Sequence, residues 1–337
     1  MSDLQRAVTL LREGELVGIP TETVYGLAAD AANPAAVAKI FAAKGRPADH
    51  PLIVHVASAD ELPRWAIDIP GAAYRLAAAF WPGPLTLILR KQTAVPAAVT
   101  GGQDTVGIRV PNHPLTLQLL EAFQAAGGSG GVAAPSANRF GRISPTTADH
   151  VRQELAERVP LVLDGGPCQV GIESTIVDLS RGEPVILRPG AITAEQIAQV
   201  LALGSVNSEG SGSREAGVTT PRVSGSLDAH YAPLTPLRLV PSAELDRTLA
   251  RELAAGHRCA LLAFQALGHD AVVHYPASHS AAGYAHDLYG ALRQLDQSGA
   301  DLILVETPPE GSEWLAVHDR LGRAACGSGP QAAGGKN

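Results

Sequence analysis

Four stretches of this 337-residue sequence set hydroxyls, carboxylates and cations beside short apolar runs, in combinations that a core does not need. The first is Pro20-Thr21-Glu22-Thr23-Val24-Tyr25-Gly26-Leu27, directly after a strand-like run. Open α/β sheets put ligand-binding groups at the C-terminal ends of strands. The same residues also suit a capped turn in which Thr and Glu hold backbone amides. The second is Lys44-Gly45-Arg46-Pro47, continued by Asp49-His50-Pro51-Leu52-Ile53-Val54-His55. Two cations flank a glycine where a helix ends. A helix C-terminus favours positive charge by itself. A forked Arg beside a Lys point charge also makes a polyphosphate clamp. His55 falls inside an apolar strand, either as a core histidine or as a ligand group.

The third stretch is Thr105-Val106-Gly107-Ile108-Arg109-Val110-Pro111. Strand alternation puts Val106, Ile108 and Val110 on one face and Thr105, Gly107 and Arg109 on the other. An Arg beside a Gly suggests room for a ligand carboxylate, or else a buried ion pair. The fourth is a set of turns: Ala134-Pro135-Ser136-Ala137-Asn138 with Ser144-Pro145-Thr146, Gly171-Ile172-Glu173-Ser174-Thr175, and Leu187-Arg188-Pro189-Gly190. Each is ordinary turn chemistry alone. Together they form a wall of hydroxyls and amides with a further cation.

Other chemistries fail on pattern. The only lysines are Lys39, Lys44, Lys91 and Lys336, and none completes a G-x-x-x-x-G-K-[ST] loop. His269, His274, His279 and His286 cluster loosely without an i, i+4 helical pair, so no metal site is expected from protein side chains. Gly127-Gly128-Ser129-Gly130-Gly131 matches G-x-S-x-G, but it follows a helix and precedes a strand, the reverse of a nucleophile elbow.

The elements that must carry these groups alternate. An amphipathic helix opens the chain (Leu4, Val8, Leu11), with acid and base too close for a secretory signal. Asn33-Pro34 caps a second helix. Strands are expected at Leu16–Ile19, Leu52–Val56, Leu85–Arg90, Thr105–Val110, Gly131–Ala134, Leu161–Leu163, Thr175–Leu179 and Val185–Arg188. Thr193 and Gln196 form a capping box for a helix ending before Gly204. A Gly/Ser-rich linker follows from Gly204 to Ser213. Beyond it, strands are expected at Leu237–Val240, Ala260–Phe264, Ala271–His274 and Leu302–Glu306, with helices over 280–297 and 313–325. The expected organisation is therefore an α/β domain (1–203), a flexible linker (204–235), a smaller α/β domain (236–326) and a disordered tail (327–337).

Composition narrows the class. At 45% hydrophobic and 18% charged, the chain can bury a core and is not disordered. No apolar run approaches a membrane span. The net charge of −7 and a pI near 5.9 are unlike a whole-surface nucleic-acid binder, so any phosphate-binding charge must be local. Three scattered cysteines argue against a disulfide scaffold and for a reducing cytoplasm.

The ordered motifs P-T-E-T-x-Y-G-L, K-x-R-P, P-L-I-V-H, T-V-x-x-R-x-P, P-S-A-N, S-P-T, E-S-T and R-P-G resemble the YrdC-like family of threonylcarbamoyl-AMP synthases over roughly residues 5–203. The linker's His230-Tyr231-Ala232-Pro233 and the second domain resemble the long, two-domain form. The resemblance implies a twisted mixed sheet with surrounding helices and a concave cavity. It also implies a nucleotidyltransferase that converts L-threonine, bicarbonate and MgATP to L-threonylcarbamoyl-adenylate and pyrophosphate, for N6-threonylcarbamoyladenosine in tRNA. By matching positions, Thr23, His55, Arg109, Ser136 and Ser174 would bind threonine. Lys44, Arg46, His50, Thr105, Asn138, Ser144, Arg188 and Tyr231 would bind ATP, and Lys44, Arg46 and Ser136 would be catalytic. His50 stands where the family often has Asn, and Val223-Ser224-Gly225-Ser226 stands where the long form often has S-P-G-M. Further partners implied are the machinery that transfers the group to tRNA and, weakly, RNA itself. The competing readings are an RNA-binding protein, a carbamoyl-transfer module and, last, a serine hydrolase at Ser129.

Overall fold

The computed structural model describes residues 1–208, 220–225, 227–265 and 273–329. They divide into two compact units, Met1–Phe140 with Pro145–Ser226, and Gly141–Ser144 with Leu227–Asn337.

The strands of the first unit are β1 (Val17–Ile19), β2 (Gly26–Asp30), β3 (Ile53–His55), β4 (Leu85–Arg90), β5 (Thr105–Arg109), β6 (Val132–Ala133), β7 (Thr175–Asp178), β8 (Val185–Arg188) and β9 (Asn207–Ser208). They form one mixed sheet in the order β1-β2-β6-β3-β5-β4-β7-β8-β9. Two registers matter for chemistry. In the parallel β3–β5 pair His55 lies opposite Arg109. In the antiparallel β7–β8 pair Arg188 lies opposite Ile176. Most strand residues are buried, which is why they read as continuous apolar runs rather than alternating ones. One apolar cluster gathers Leu27, Val37, Ile40, Val54, Leu87 and Ile108; another gathers Leu11, Ile19, Leu119 and Phe123.

The helix Pro34–Lys44 is set at both ends by its sequence. Asn33 accepts the Ala35 and Ala36 N–H groups at 3.0 and 3.2 Å. Gly45 ends it at φ 62°, a left-handed turn that glycine adopts without a Cβ penalty. That turn hands the chain from Lys44 to Arg46.

Three expectations need correction. Leu161–Leu163 is not a strand; Val162 makes only an isolated bridge to Gly18. β2 was not expected, because Gly-Leu-Ala-Ala-Asp has poor strand propensity; it forms because β1 and β6 flank it and bury it. Asn207–Ser208, inside the expected linker, adds β9 parallel to β8. Residues 209–213 of that linker lie outside the described residues.

The second unit holds β10 (Leu237–Val240), β11 (Cys259–Ala263), β12 (Val273–Pro276) and β13 (Leu302–Glu306), all parallel in the order β10-β13-β11-β12. Helices Ser242–Ala254, Ala281–Asp296 and Leu315–Gly327 accompany them. Of the expected strand Ala271–His274, residues 271 and 272 lie outside the described residues, as does His269. The last helix runs through Gly327, and the Ser328 hydroxyl accepts the Leu237 N–H at 2.8 Å, so order extends past the expected start of the tail; residues 330–337 lie outside the described residues. Among the described residues no helix is long and apolar enough to cross a membrane.

Candidate functional site

The turn after β1 is tightly self-bonded. The Thr21 hydroxyl donates to the Val24 carbonyl at 2.6 Å and accepts the Thr23 and Val24 N–H groups at 3.2 Å each. Thr21 Oγ1 lies 2.8 Å from Thr23 Oγ1, and both side chains are buried. Tyr25 donates to the Gly166 carbonyl at 2.7 Å, and burial pushes its phenol up to about 12. The capped-turn reading is thus realised, but it does not exhaust the stretch. Glu22 leaves the turn and pairs with Arg109: Oε2 lies 2.8 Å from Nη2 and accepts the Asn112 N–H at 3.0 Å.

Arg109 therefore has its buried acid, and its Nε donates to the Gly83 carbonyl at 3.2 Å. Gly107 lines a small pocket with Pro51 and Thr105, and the Ile88 side chain bounds it: a Cβ at Gly107 would stand 3.1 Å from Ile88 Cδ1. His55 is 3% exposed. Burial first, and the Arg109 charge second, hold its imidazole down at about 3, so it is neutral at pH 7. Its Nδ1 is buried with no hydrogen-bond partner among the described residues.

A second group forms around β8. Arg188 Nε and Nη2 donate to the Ser174 carbonyl at 3.1 and 2.8 Å, and Nη2 lies 3.1 Å from Ser174 Oγ. Ser174 Oγ is 2.8 Å from Thr86 Oγ1. Gly190 makes this fit possible, because a Cβ there would stand 2.4 Å from the Thr175 nitrogen. Arg46, released by the helix end, donates to the Pro51 carbonyl at 3.0 Å and lies over the Phe140 ring at 5.9 Å. His50 meets the same ring edge-on at 5.3 Å; burial, then Arg46, lower its pKa.

Arg46 and Arg188 converge on one residue. Arg46 Nη2 is 3.5 Å from Ser224 Oγ, and Arg188 Nη1 donates to the Ser224 carbonyl at 2.8 Å. Ser224 follows two anchored residues. Val223 packs with Ile88, Ile176 and Leu187. Arg222 donates to the Gly101 carbonyl at 2.8 Å and exchanges backbone hydrogen bonds with the Gln103 amide at 2.6 and 3.1 Å. Thr105, nearly buried, lines a small pocket with Pro51, Gln103 and Val223.

The third group is held by Lys44, whose ammonium donates to the Ser136 and Asn138 carbonyls. Burial first, then Arg46, push its pKa well below the usual lysine value. The lysine thereby ties the P-S-A-N turn to the helix end. Ser136 also bridges Gly26 of β2, and Asn138 Nδ2 donates to the Arg139 carbonyl at 2.7 Å. Ser144 and Tyr231 belong to the second unit. Ser144 is fully buried in the segment Gly141–Ser144. Tyr231, at φ 61° and 1% exposed, lies under Arg320 at 5.3 Å and beside Tyr289 at 5.7 Å.

The first unit thus unites Glu22 with Arg109 and His55, Arg46 with Arg188 and Ser174, and Lys44 with Ser136 and Asn138. Glu22 lies inside the P-T-E-T motif, and its spacing from Arg109 carries no local signal that pairs them. Ser129 is engaged by the Asp30 carboxylate, not by a histidine. Among the described residues no three His, Cys, Asp or Glu side chains gather as a metal-binding group.

Known proteins resemble this chain closely. Residues 9–190 match the Sua5/YciO/YrdC family, described as telomere recombination, and residues 192–326 match the threonylcarbamoyl-AMP synthase C-terminal domain. The chain is 39% identical to the threonylcarbamoyl-AMP synthase of Pyrococcus abyssi, over 95% of this chain and 93% of that one. It is 41% identical to the threonylcarbamoyl-AMP synthase of Bacillus subtilis, over 96% of this chain and 93% of that one. Its fold is similar to that of P. abyssi Sua5 complexed with L-threonine, with a TM-score of 0.85 at 37% identity, covering 97% of this chain and 95% of that one.

Proposed function

The chain belongs to the family of two-domain threonylcarbamoyl-AMP synthases, and on that premise we propose that it joins L-threonine, bicarbonate and ATP into L-threonylcarbamoyl-adenylate, releasing pyrophosphate, for N6-threonylcarbamoyladenosine formation in tRNA. The observation that carries this reading is the convergence of two buried guanidiniums, Arg46 and Arg188, on Ser224. Two forked cations aimed at one point suit a polyphosphate, whose oxygens accept the same kind of donor that Ser224 accepts.

The threonine amine takes up CO2 to give a carbamate, whose oxygen attacks the α-phosphate of ATP while pyrophosphate leaves. No covalent protein nucleophile is required. Rate then comes from alignment and from charge on the phosphates. Mg2+ enters with the nucleotide as MgATP. We assign the phosphates to Arg46 and Arg188, with His50, Thr105 and Asn138 as further nucleotide contacts. Lys44 holds the Ser136–Asn138 turn in register and adds positive charge beneath it. Thr23, Ser136 and Ser174 orient the amino acid and carbamate, Arg109 takes the α-carboxylate, and neutral His55 bonds the side-chain hydroxyl.

We further infer that residues 1–203 perform the chemistry and that the linker acts as a lid, which Ser224's contacts support. A labile adenylate benefits from excluded water. Residues 236–326 support the lid or dock the transfer machinery. Free cysteines at 168, 259 and 326 agree with a cytoplasmic location.

The direct test is pyrophosphate release from MgATP with bicarbonate, comparing threonine with serine, valine and no amino acid. Release that needs both threonine and bicarbonate establishes the reaction. Nucleotide binding without threonine-dependent release refutes it and favours another acceptor.

A further inference from the structure

The buried carboxylate of Glu22 is only half used. Both groups that reach it lie at Oε2: the Asn112 N–H donates to it at 3.0 Å, and Arg109 Nη2 stands 2.8 Å away as an ion pair without hydrogen-bond geometry. Oε1 is buried and has no hydrogen-bond partner among the described residues, on a side chain only 4% exposed. Leaving such an oxygen unpaired costs on the order of 1–3 kcal/mol or more for a charged group. Atoms of this kind persist in native proteins where a water, an ion or a ligand completes them.

Its neighbours are incomplete in complementary ways. Arg109 spends Nε on the Gly83 carbonyl, while its buried Nη2, though 2.8 Å from Glu22 Oε2, makes no hydrogen bond among the described residues. His55, opposite Arg109 in the β3–β5 register, has an unpartnered Nδ1. One anionic oxygen, one cationic N–H group and one neutral imidazole nitrogen are thus left over on adjoining residues. A hydroxy-amino acid carries their three complements: an ammonium, a carboxylate and a hydroxyl.

We propose that Glu22 is a substrate-binding residue whose Oε1 receives the α-ammonium of the bound amino acid while Oε2 fixes Arg109 for the α-carboxylate. This rests on the synthase reading and adds to it the group that recognises the amine. A purely structural Glu22, serving only as the partner of Arg109 and a cap for Asn112, has no reason to distinguish an amine from a hydroxyl at the α-carbon.

That difference is the test. Binding of L-threonine and of 2,3-dihydroxybutyrate, which has a hydroxyl in place of the amine, is measured by calorimetry on the full chain, wild type and Glu22→Gln. The wild type should prefer threonine. Glu22→Gln should lose about ten- to a hundred-fold in threonine affinity, the scale of one charge-assisted hydrogen bond, and bind the deamino ligand almost unchanged. Equal weakening of both ligands, or unchanged threonine binding, overturns the proposal. If Glu22→Gln fails to fold, Glu22→Asp decides, because its shorter side chain withdraws the carboxylate from the amine: selective loss of threonine over the deamino ligand sustains the proposal, and equal loss of both overturns it. A wild type that binds no threonine at all overturns the synthase reading itself, and this inference with it.

Discussion

At the scale of single residues, the protein uses burial to decide which groups carry charge. Arg46, Arg109 and Arg188 are each under 10% exposed, and each is tied to carbonyls or to a carboxylate in a fixed orientation. Cations held this way need no reorganisation when phosphate charge develops. Arg46→Ala should therefore lose about 10²–10³ in turnover, read as pyrophosphate release at saturating threonine; near wild-type turnover would sink the clamp assignment. His55 goes the other way, because its folded value of about 3 lies below the ordinary histidine value. The unfolded chain takes up the proton first, so this contribution to stability is whole above about pH 6.5 and is lost as pH falls towards 3. Urea midpoints at pH 7 and pH 4.5 should fall further apart in the wild type than in His55→Gln, and equal shifts would show that His55 does not titrate in the window. The residue types of this site were legible in the motifs, including both readings of Arg109 and of the P-T-E-T turn. The sequence does not reveal that both readings are realised together, Glu22 pairing with Arg109 while Thr21 caps the turn, because the partners lie 87 to 90 residues apart and leave no local spacing.

At the scale of elements, the site is built from endings: the C-terminal ends of β1 and of the helix Pro34–Lys44, and the turns that bracket β7 and β8. Gly190 is the tightest of these joints, with a Cβ 2.4 Å from the Thr175 nitrogen and 2.8 Å from the Glu173 carbonyl. Gly190→Ala must push the R-P-G turn off the E-S-T turn and move Arg188 away from Ser174. The expected cost is about 1–3 kcal/mol of stability together with a loss of turnover on the order of 10². Denaturant midpoints and pyrophosphate release measure the two, and an unchanged midpoint would mean that the turns yield without strain. Strands with β-branched, apolar sequence, such as Val185–Arg188 and Leu85–Arg90, were legible to within a residue. β2 was not, since alanines and a glycine carry no strand signal and only its neighbours on either side make it one. The reverse happened at Leu161–Leu163, an apolar run that reads as a strand and finds only a single bridge.

At the scale of the whole molecule, an acidic chain of net charge −7 buries Lys44, Arg46, Arg109 and Arg188 in its first unit. Charge placed inside low-dielectric walls acts on a bound phosphate with little screening. The linker that reaches Ser224 ties this interior to the rest of the chain. Its cleavage between Gly210 and Ser213, through an inserted protease site, should change the yield of intact adenylate more than the affinity for threonine; an unchanged yield would remove the lid from the mechanism. The two-part organisation was legible in the Gly/Ser-rich linker, but the membership of Gly141–Ser144 in the second unit was not. In that unit the Ile143 carbonyl is held by Arg293, 150 residues further on, and Arg142 lies 3.7 Å from Asp296. The consequence falls on biosynthesis. A ribosome adding about 5–20 residues per second needs roughly 8 to 30 s to travel from Ile143 to Arg293. For that time the nascent protein holds in waiting four residues that interrupt the sequence of its first unit, and that loop cannot reach its final state until the rest of the second unit has been translated.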